Sequence, residues 1–377
     1  MNASETDIQR RRLLQAGVSM VMVAGSGLAL TACEPSPAPV EKPKASTLSA
    51  STLNKEIPLM SLNIARFEYQ GRVRWGVMRG SQITPVPGEF ATTGDFIRGT
   101  SLAELAALEG NTLEQSAVKL LSPVTQNQQF VCQGANYRQH MIESGMDPDE
   151  KTYNMIFTKA SSCIVAADSD VIKPRIVQFL DYEIELGLVL RKAIKGAVTI
   201  TDKNLHEYVA GAVIVNDYSA RDVQIPQMQF YKGKSFRTFG PVGPWLTLLD
   251  ASSITALKNL QLKLTVNGEV RQQDSSANLV FGPAETLTEL STVQDFEAGD
   301  LLATGTPAGC ALSVPSQFKQ KIGALLPEKT KWDLFLKVQS QRKQYLRNGD
   351  LVEASIRSAD DKIDLGVQRN RVVAEAL

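Results

Sequence analysis

The sequence predicts an α+β fold in which strands dominate, and three observations carry that prediction. Short runs rich in Val, Ile and Leu recur along the chain, each bounded by turn residues. Asn267-Gly268 follows an alternating apolar run, a strong hairpin signal. Helical periodicity is confined to brief stretches. With 377 residues, 43% of them hydrophobic, the chain can bury a large core or two domains.

Residues 1–32 stand apart. Arg10-Arg11-Arg12-Leu13-Leu14-Gln15 precedes a mildly apolar, Gly-rich run, and Leu30-Thr31-Ala32-Cys33 has the pattern of a bacterial lipoprotein cleavage site. Basic, apolar and small-residue regions in that order make an export signal of twin-arginine type the expectation. An uncleaved membrane anchor is the other reading, which the glycines and serines of the run weaken. After cleavage Cys33 would carry lipid, and the Pro/Ser/Ala-rich residues 33–56 would form a flexible tether. The protein would then sit on the exported, periplasmic side, anchored to a membrane and not embedded in it. Cys132, Cys163 and Cys310 lack C-x-x-C spacing, so they give neither a disulfide framework nor a zinc site.

Residues 57–125 hold short apolar runs such as Ile64-Ala65-Arg66-Phe67 and Val73-Arg74-Trp75-Gly76-Val77. A helix is predicted over 101–108, and Leu121-Ser122-Pro123-Val124 closes the segment. Strands are predicted over 181–190, 211–215, 243–249, 260–266 and 351–356. A helical stretch over 202–209 carries His206, taken as a surface or capping residue.

The richest chemistry lies in Asp181-Tyr182-Glu183-Ile184-Glu185-Leu186. Side chains alternate along a strand, so Glu183 and Glu185 point the same way. Two like charges on one apolar face repel and are costly to desolvate. A divalent cation between them removes both problems. Oxygen donors favour Mg²⁺, with Mn²⁺ or Ca²⁺ as alternatives, over zinc or copper. Spacing alone also allows an edge strand with both glutamates in water. What breaks the tie is Ala212-Val213-Ile214-Val215, a second buried-looking run ending in Asn216-Asp217, where Asp217 offers a third oxygen ligand.

Other motifs surround these. Gly134-Ala135-Asn136-Tyr137 leads into His140 and Glu143, neighbours on a helical turn, where Glu143 can orient the imidazole. Alone, that pair fits a surface contact better than a catalytic dyad. Gly233-Lys234-Ser235-Phe236 can bring an ammonium to an anion. Thr304-Gly305-Thr306-Pro307-Ala308-Gly309 is a tight turn with backbone N–H groups to offer an anion.

Taken in order, G-x-N-Y-x-x-H-x-x-E, D-Y-E-x-E-L, N-D-x-S-A-R-D-x-Q, G-K-S-F, V-N-G-E-V-R-Q and G-D-x-x-x-T-G-T-P-A-G resemble the fumarylacetoacetate hydrolase family across residues 57–377. The resemblance implies a mixed β-sandwich roll over 126–377 as catalytic domain, behind a small N-terminal domain over 57–125. It implies metal ligation by Glu183, Glu185 and Asp217, catalysis by His140, Glu143 and Lys234, and substrate contacts from Arg221, Gln224 and Thr306. Arg221 could also brace a ligand carboxylate. The implied substrate is a small 2-oxo or diketo acid, and the family often forms dimers. Its members are mostly cytosolic, so the export signal is a departure.

The implied activity is metal-dependent hydrolysis of a C–C bond in an acylpyruvate- or fumarylacetoacetate-like diketo acid. Decarboxylation of a 2-oxo acid such as oxaloacetate, or isomerisation of a 2-hydroxy-dienoate, would use the same site. A non-catalytic lipoprotein binding small acids is a third reading, opposed by retention of every expected residue. Lys+Arg and Asp+Glu balance at 40 each, which argues against a nucleic-acid partner. The Gly-rich turns lack the dinucleotide-binding pattern, so no nicotinamide cofactor is expected. Two further departures stand out. Arg237 follows Gly-Lys-Ser-Phe where relatives carry aspartate, and would alter substrate charge preference if it faced the pocket. Residues 318–347 form a basic insertion with Trp332, Phe335 and Leu336 at helical spacing. It reads as a solvated helix packed on the domain, or as a lid supplying cations to a polyanionic substrate, a dimer contact or a membrane-surface contact.

Overall fold

The structure, a computed structural model, describes residues 61–313 and 326–376. The expected signal, the tether and Cys33 lie outside the described residues. Among those described, no helix is long and apolar enough to cross a membrane.

Two sheets pack face to face. The larger has eleven strands, running from Leu113–Glu114 through Gln82–Pro85, Arg72–Arg79, Ser61–Tyr69, Leu246–Leu249, Val209–Asn216, Ile184–Leu190, Leu301–Ala303 and Phe130–Gly134 to Met155–Lys159, with Lys119–Leu121 paired to Ser61–Tyr69. The N-terminal strands thus extend the sheet that holds Ile184–Leu190 through the pairing of Ser61–Tyr69 with Leu246–Leu249. The smaller sheet orders Glu269–Ser275, Leu260–Val266, Leu351–Ser358, Asp364–Ala374 and Val171–Lys173.

Side-chain alternation explains why the central strands read as unbroken apolar runs. Leu186, Leu188, Ala212 and Ile214 pack with Leu262, Leu264, Ala354 and Ile356 of the smaller sheet. Val189, Val213 and Val215 pack on the opposite face with Phe96, Leu105 and Trp75. Both faces are covered, so every residue of Ile184–Leu190 is buried. Each fully buried Leu or Ile contributes about 1.5–3 kcal/mol of transfer free energy.

Local signals set several boundaries. Ser101 and Glu104 form a capping box that starts the short helix Leu102–Ala106. Asn267 and Gly268 take φ of 52° and 82°, as the hairpin between Leu260–Val266 and Glu269–Ser275 requires. Three predicted elements differ. The strand over 181–190 is interrupted: Leu180–Asp181 pairs with Ser219–Ala220, and the main sheet takes over at Ile184. The strand over 243–249 shortens to Leu246–Leu249, since Pro244 has no ladder donor. The helix over 202–209 reduces to the 3₁₀ turn Leu205–Glu207, because Val209 already belongs to the next strand.

Candidate metal centre and its cavity

Glu183 and Glu185 flank Ile184 at the start of the central strand, and Asp217 follows the adjacent strand Val209–Asn216. Ile184 lies opposite Asn216, which sets the three carboxylates side by side. The Asp217 N–H donates to the Glu183 carbonyl at 2.8 Å, and the Glu183 N–H donates to Asn216 Oδ1 at 3.0 Å. One oxygen from each of Glu183, Glu185 and Asp217 lies within 4.8 Å of the others, and all three residues are buried. The reading of an exposed edge strand therefore fails.

Three buried cations attend this cluster. Lys234 Nζ bridges Glu183 and Asp217, and Lys159 Nζ engages the other oxygen of Asp217. Arg221 binds Asp181 Oδ2 at 2.9 Å, Gln224 Oε1 at 2.7 Å, and Glu183 Oε1. Burial alone would raise the Glu183 carboxyl, but Arg221 and Lys234 outweigh it and hold the group well below its ordinary range. Glu185 has no cationic partner within hydrogen-bond reach among the described residues. Burial, then the charges of Asp217 and Glu183, push its carboxyl well above the ordinary range. Four carboxylates (Asp181, Glu183, Glu185, Asp217) thus face three cations. An all-oxygen triad with residual negative charge fits a hard divalent cation.

The Thr304–Gly309 turn serves this cluster. The Gly305 N–H donates to Glu185 Oε2 at 3.0 Å, and Thr306 Oγ1 donates to the Ile184 carbonyl at 2.9 Å. The anion that the turn cradles is thus a protein carboxylate. Gln272 ties the smaller sheet to the same place, accepting from the Ile184 N–H at 3.0 Å and donating to Thr306 Oγ1 at 2.8 Å.

A cavity of about 750 Å³ opens over the cluster. Glu183, Glu185, Lys234, Arg221, Gln224, Thr306, His140 and Glu143 all line it, so the expected site residues converge. Asp217 does not line it; it is buried beneath the two lysines. His140 and Glu143 share the helix Arg138–Glu143, which Asn136 anchors through bonds to the Phe281 and Thr304 carbonyls. The expected hydrogen bond between the pair is absent: His140 Nδ1 is buried without a partner, and Glu143 is exposed. Burial lowers the His140 pKa, against the opposing pull of Glu183.

Two further expectations are settled by position. Arg237 is exposed and outside the cavity wall, so it does not set pocket charge. His206 also lies outside it, its carbonyl accepting from Arg191 Nε at 2.8 Å. The described part of the basic insertion contains the helix Glu328–Ser340, and just beyond it Arg342 and Gln344 reach the cavity wall. Sequence reasoning missed Lys159, Asp181, Gln272, Arg271 and Arg342. Gln272 and Arg271 lay within a quoted motif, V-N-G-E-V-R-Q, and Asp181 opened another, but neither motif indicated a role for them.

Residues 129–373 match the fumarylacetoacetate (FAA) hydrolase C-terminal family, and residues 63–123 match the Rv2993c-like N-terminal family. The first match spans more than half of the chain, which belongs to the FAA hydrolase family. Oxaloacetate tautomerase YisK of Bacillus subtilis is 39% identical over 197 residues, covering 52% of this chain and 64% of that protein, which is less than two thirds of its length. Fumarylacetoacetate hydrolase from Exiguobacterium antarcticum superposes with a TM-score of 0.63 at 29% identity, over 83% of this chain and 100% of that one. A probable 2-hydroxyhepta-2,4-diene-1,7-dioate isomerase from Mycobacterium abscessus superposes at 0.62 with 27% identity, over 84% and 100%.

Proposed function

We propose that this FAA hydrolase family member is a metal-dependent enzyme acting on 2-oxo acids, and that it hydrolyses a C–C bond in an acylpyruvate-like diketo acid. The observation that carries the reading is the buried triad of Glu183, Glu185 and Asp217 beneath a cavity whose wall holds His140 and Lys234. When bound there, a divalent cation such as Mg²⁺ supplies Lewis-acid polarisation of a substrate carbonyl. The residues of the chain do the rest. His140, desolvated and neutral, takes a proton from water, and the resulting hydroxide adds to the acyl carbonyl. The C–C bond breaks, its electron pair passes to the pyruvate fragment as an enolate, and the imidazolium returns the proton. Lys234 holds positive charge beside Glu183 and Asp217, where the enolate charge develops.

Keto–enol tautomerisation of a 2-oxo acid such as oxaloacetate is the second reading. Two observations favour it: the similarity to an oxaloacetate tautomerase, and the lack of a Glu143 hydrogen bond to His140. Moving one proton needs a base alone, whereas hydrolysis also needs an oriented water. The test is to strip the protein with chelator, restore Mg²⁺ or Mn²⁺, and follow acylpyruvate absorbance with oxaloacetate in parallel. Metal-restored cleavage supports hydrolysis, enol–keto exchange alone supports tautomerisation, and neither would overturn both.

Export and lipidation at Cys33, and assembly as a homodimer, belong to the same proposal. Palmitate labelling lost in Cys33→Ser, with the protein in the membrane fraction, supports the anchor; unlabelled cytosolic protein overturns it. Sedimentation at the dimer mass supports the dimer.

A further inference from the structure

The balanced charge of the chain hides a local asymmetry. Of its 40 basic and 40 acidic residues, the segment 318–347 holds eight and two, which leaves 32 basic against 38 acidic elsewhere. The helix Glu328–Ser340 lies within this segment and is about 20 Å long. One side of it is fastened to the domain. Gln339 is buried, its Nε2 donates to the Ser313 carbonyl at 2.9 Å, and its Oε1 accepts from the Tyr345 hydroxyl at 2.7 Å. Trp332 and Phe335 fall on that same side by helical spacing and are half-buried.

The solvent side carries Leu334 and Val338, one turn apart and 51% and 44% exposed. Helical spacing sets Lys331 on one flank of this pair and Lys337 on the other. Lys331 lies over the Trp332 ring at 4.6 Å, and neither it, Lys329 nor Lys337 forms an ion pair among the described residues. An apolar stripe bordered by unpaired ammonium groups needs a partner that is both anionic and apolar. A second copy fails, because a two-fold contact sets a patch against itself and would bring these lysines together. A nucleic acid would meet the lysines and leave Leu334 and Val338 against phosphates. A bilayer with anionic headgroups meets both needs: the ammonium groups stay at the headgroups while the apolar side chains enter the acyl boundary.

We propose that the helix Glu328–Ser340 docks the protein on an anionic lipid surface, lying in the plane of the headgroups with Leu334 and Val338 inserted between Lys331 and Lys337. The contact is peripheral and does not require the lipid proposed at Cys33. Each lysine near such a surface is worth about fivefold in partitioning, and salt weakens it.

The test uses the full chain carrying Cys33→Ser, which removes the proposed acylation site, with vesicles of phosphatidylcholine alone or mixed equally with phosphatidylglycerol. A polarity-sensitive fluorophore on Leu334→Cys reports the helix itself, since Cys132, Cys163 and Cys310 are buried. The mixed vesicles should shift its emission to the blue and bind the chain at least about tenfold more tightly than phosphatidylcholine does. Without the label, Lys331→Gln with Lys337→Gln should weaken that binding about tenfold or more, and Leu334→Ser with Val338→Ser should weaken it too. These positions face solvent, so the melting temperature of both variants should match the parent. An unshifted label, equal binding to the two vesicle compositions, or unchanged binding in both variants would overturn the docking. A blue shift that grows with protein concentration in the absence of vesicles would assign the stripe to a contact between copies and overturn it as well.

Discussion

The backbone N–H of Gly305 donates to Glu185 Oε2 at 3.0 Å. That bond assigns the Thr-Gly-Thr-Pro turn to the protein's own carboxylate. Thr304 Oγ1 donates to the Leu186 carbonyl and Thr306 Oγ1 to the Ile184 carbonyl, so the turn is fastened on both sides of Glu185. Only a residue tolerant of left-handed backbone fits, since Gly305 has φ of +89° and a Cβ there would lie 2.9 Å from the Asn136 Cβ.

Gly305→Ala should therefore cost about 1–3 kcal/mol of stability and displace the N–H that positions Glu185. Denaturant unfolding would show the loss, and calorimetric Mg²⁺ titration would show weakened binding. Unchanged metal affinity would mean that the turn does not set the Glu185 carboxylate.

Glu185→Gln separates charge from shape. Burial and the neighbouring charges of Asp217 and Glu183 raise the Glu185 carboxyl, so the folded chain holds this proton more tightly than the unfolded chain. Its ionisation then costs stability as pH rises above the ordinary glutamate value of about 4.3, and costs nothing below it. The amide removes that cost. In chelator at neutral pH the variant should melt at the wild-type temperature or higher, while the rise in Tm that Mg²⁺ gives wild type should vanish. A Mg²⁺-induced rise that persisted in the variant would exclude Glu185 as a ligand.

The parts of this site legible in the sequence are those fixed by short-range geometry. Glu183 and Glu185 share a face because strand side chains alternate, and Asp217 ends a recognisably apolar run. Lys159 was not legible. It ends the strand Met155–Lys159 and meets Asp217 only because the sheet order places distant segments together. Arg342 reaches the cavity for the same non-local reason. Arg237 shows the converse: it lies three residues past Lys234, but the chain leaves the short helix Phe230–Lys234 and turns it to solvent. Adjacency in a motif did not carry orientation.

Lys159→Met tests that hidden partner. Lys159 and Asp217 are both fully buried, and removing one member of such a pair leaves an under-compensated charge, at a cost of about 3–5 kcal/mol. Lys234 remains against Asp217, so the lower end of that range is expected. Urea unfolding measures it. A loss below about 1 kcal/mol would mean that Lys234 alone satisfies Asp217.

His140 offers the most direct separation of the two reactions. Its imidazole is not among the triad oxygens, so His140→Ala should keep Mg²⁺ affinity while lowering turnover by about 10²–10⁴-fold. Because burial lowers its pKa, the imidazole stays neutral and basic to a pH below the ordinary histidine value of about 6.5. The acid limb of the rate profile should accordingly lie below that value. Glu143 completes the comparison, since it lines the cavity without bonding to the imidazole. Glu143→Gln should spare tautomerisation, where His140 moves a single proton, and depress hydrolysis, where a water must also be held for attack. Equal losses of both activities in Glu143→Gln would show that the carboxylate acts on the imidazole during turnover and not on the water.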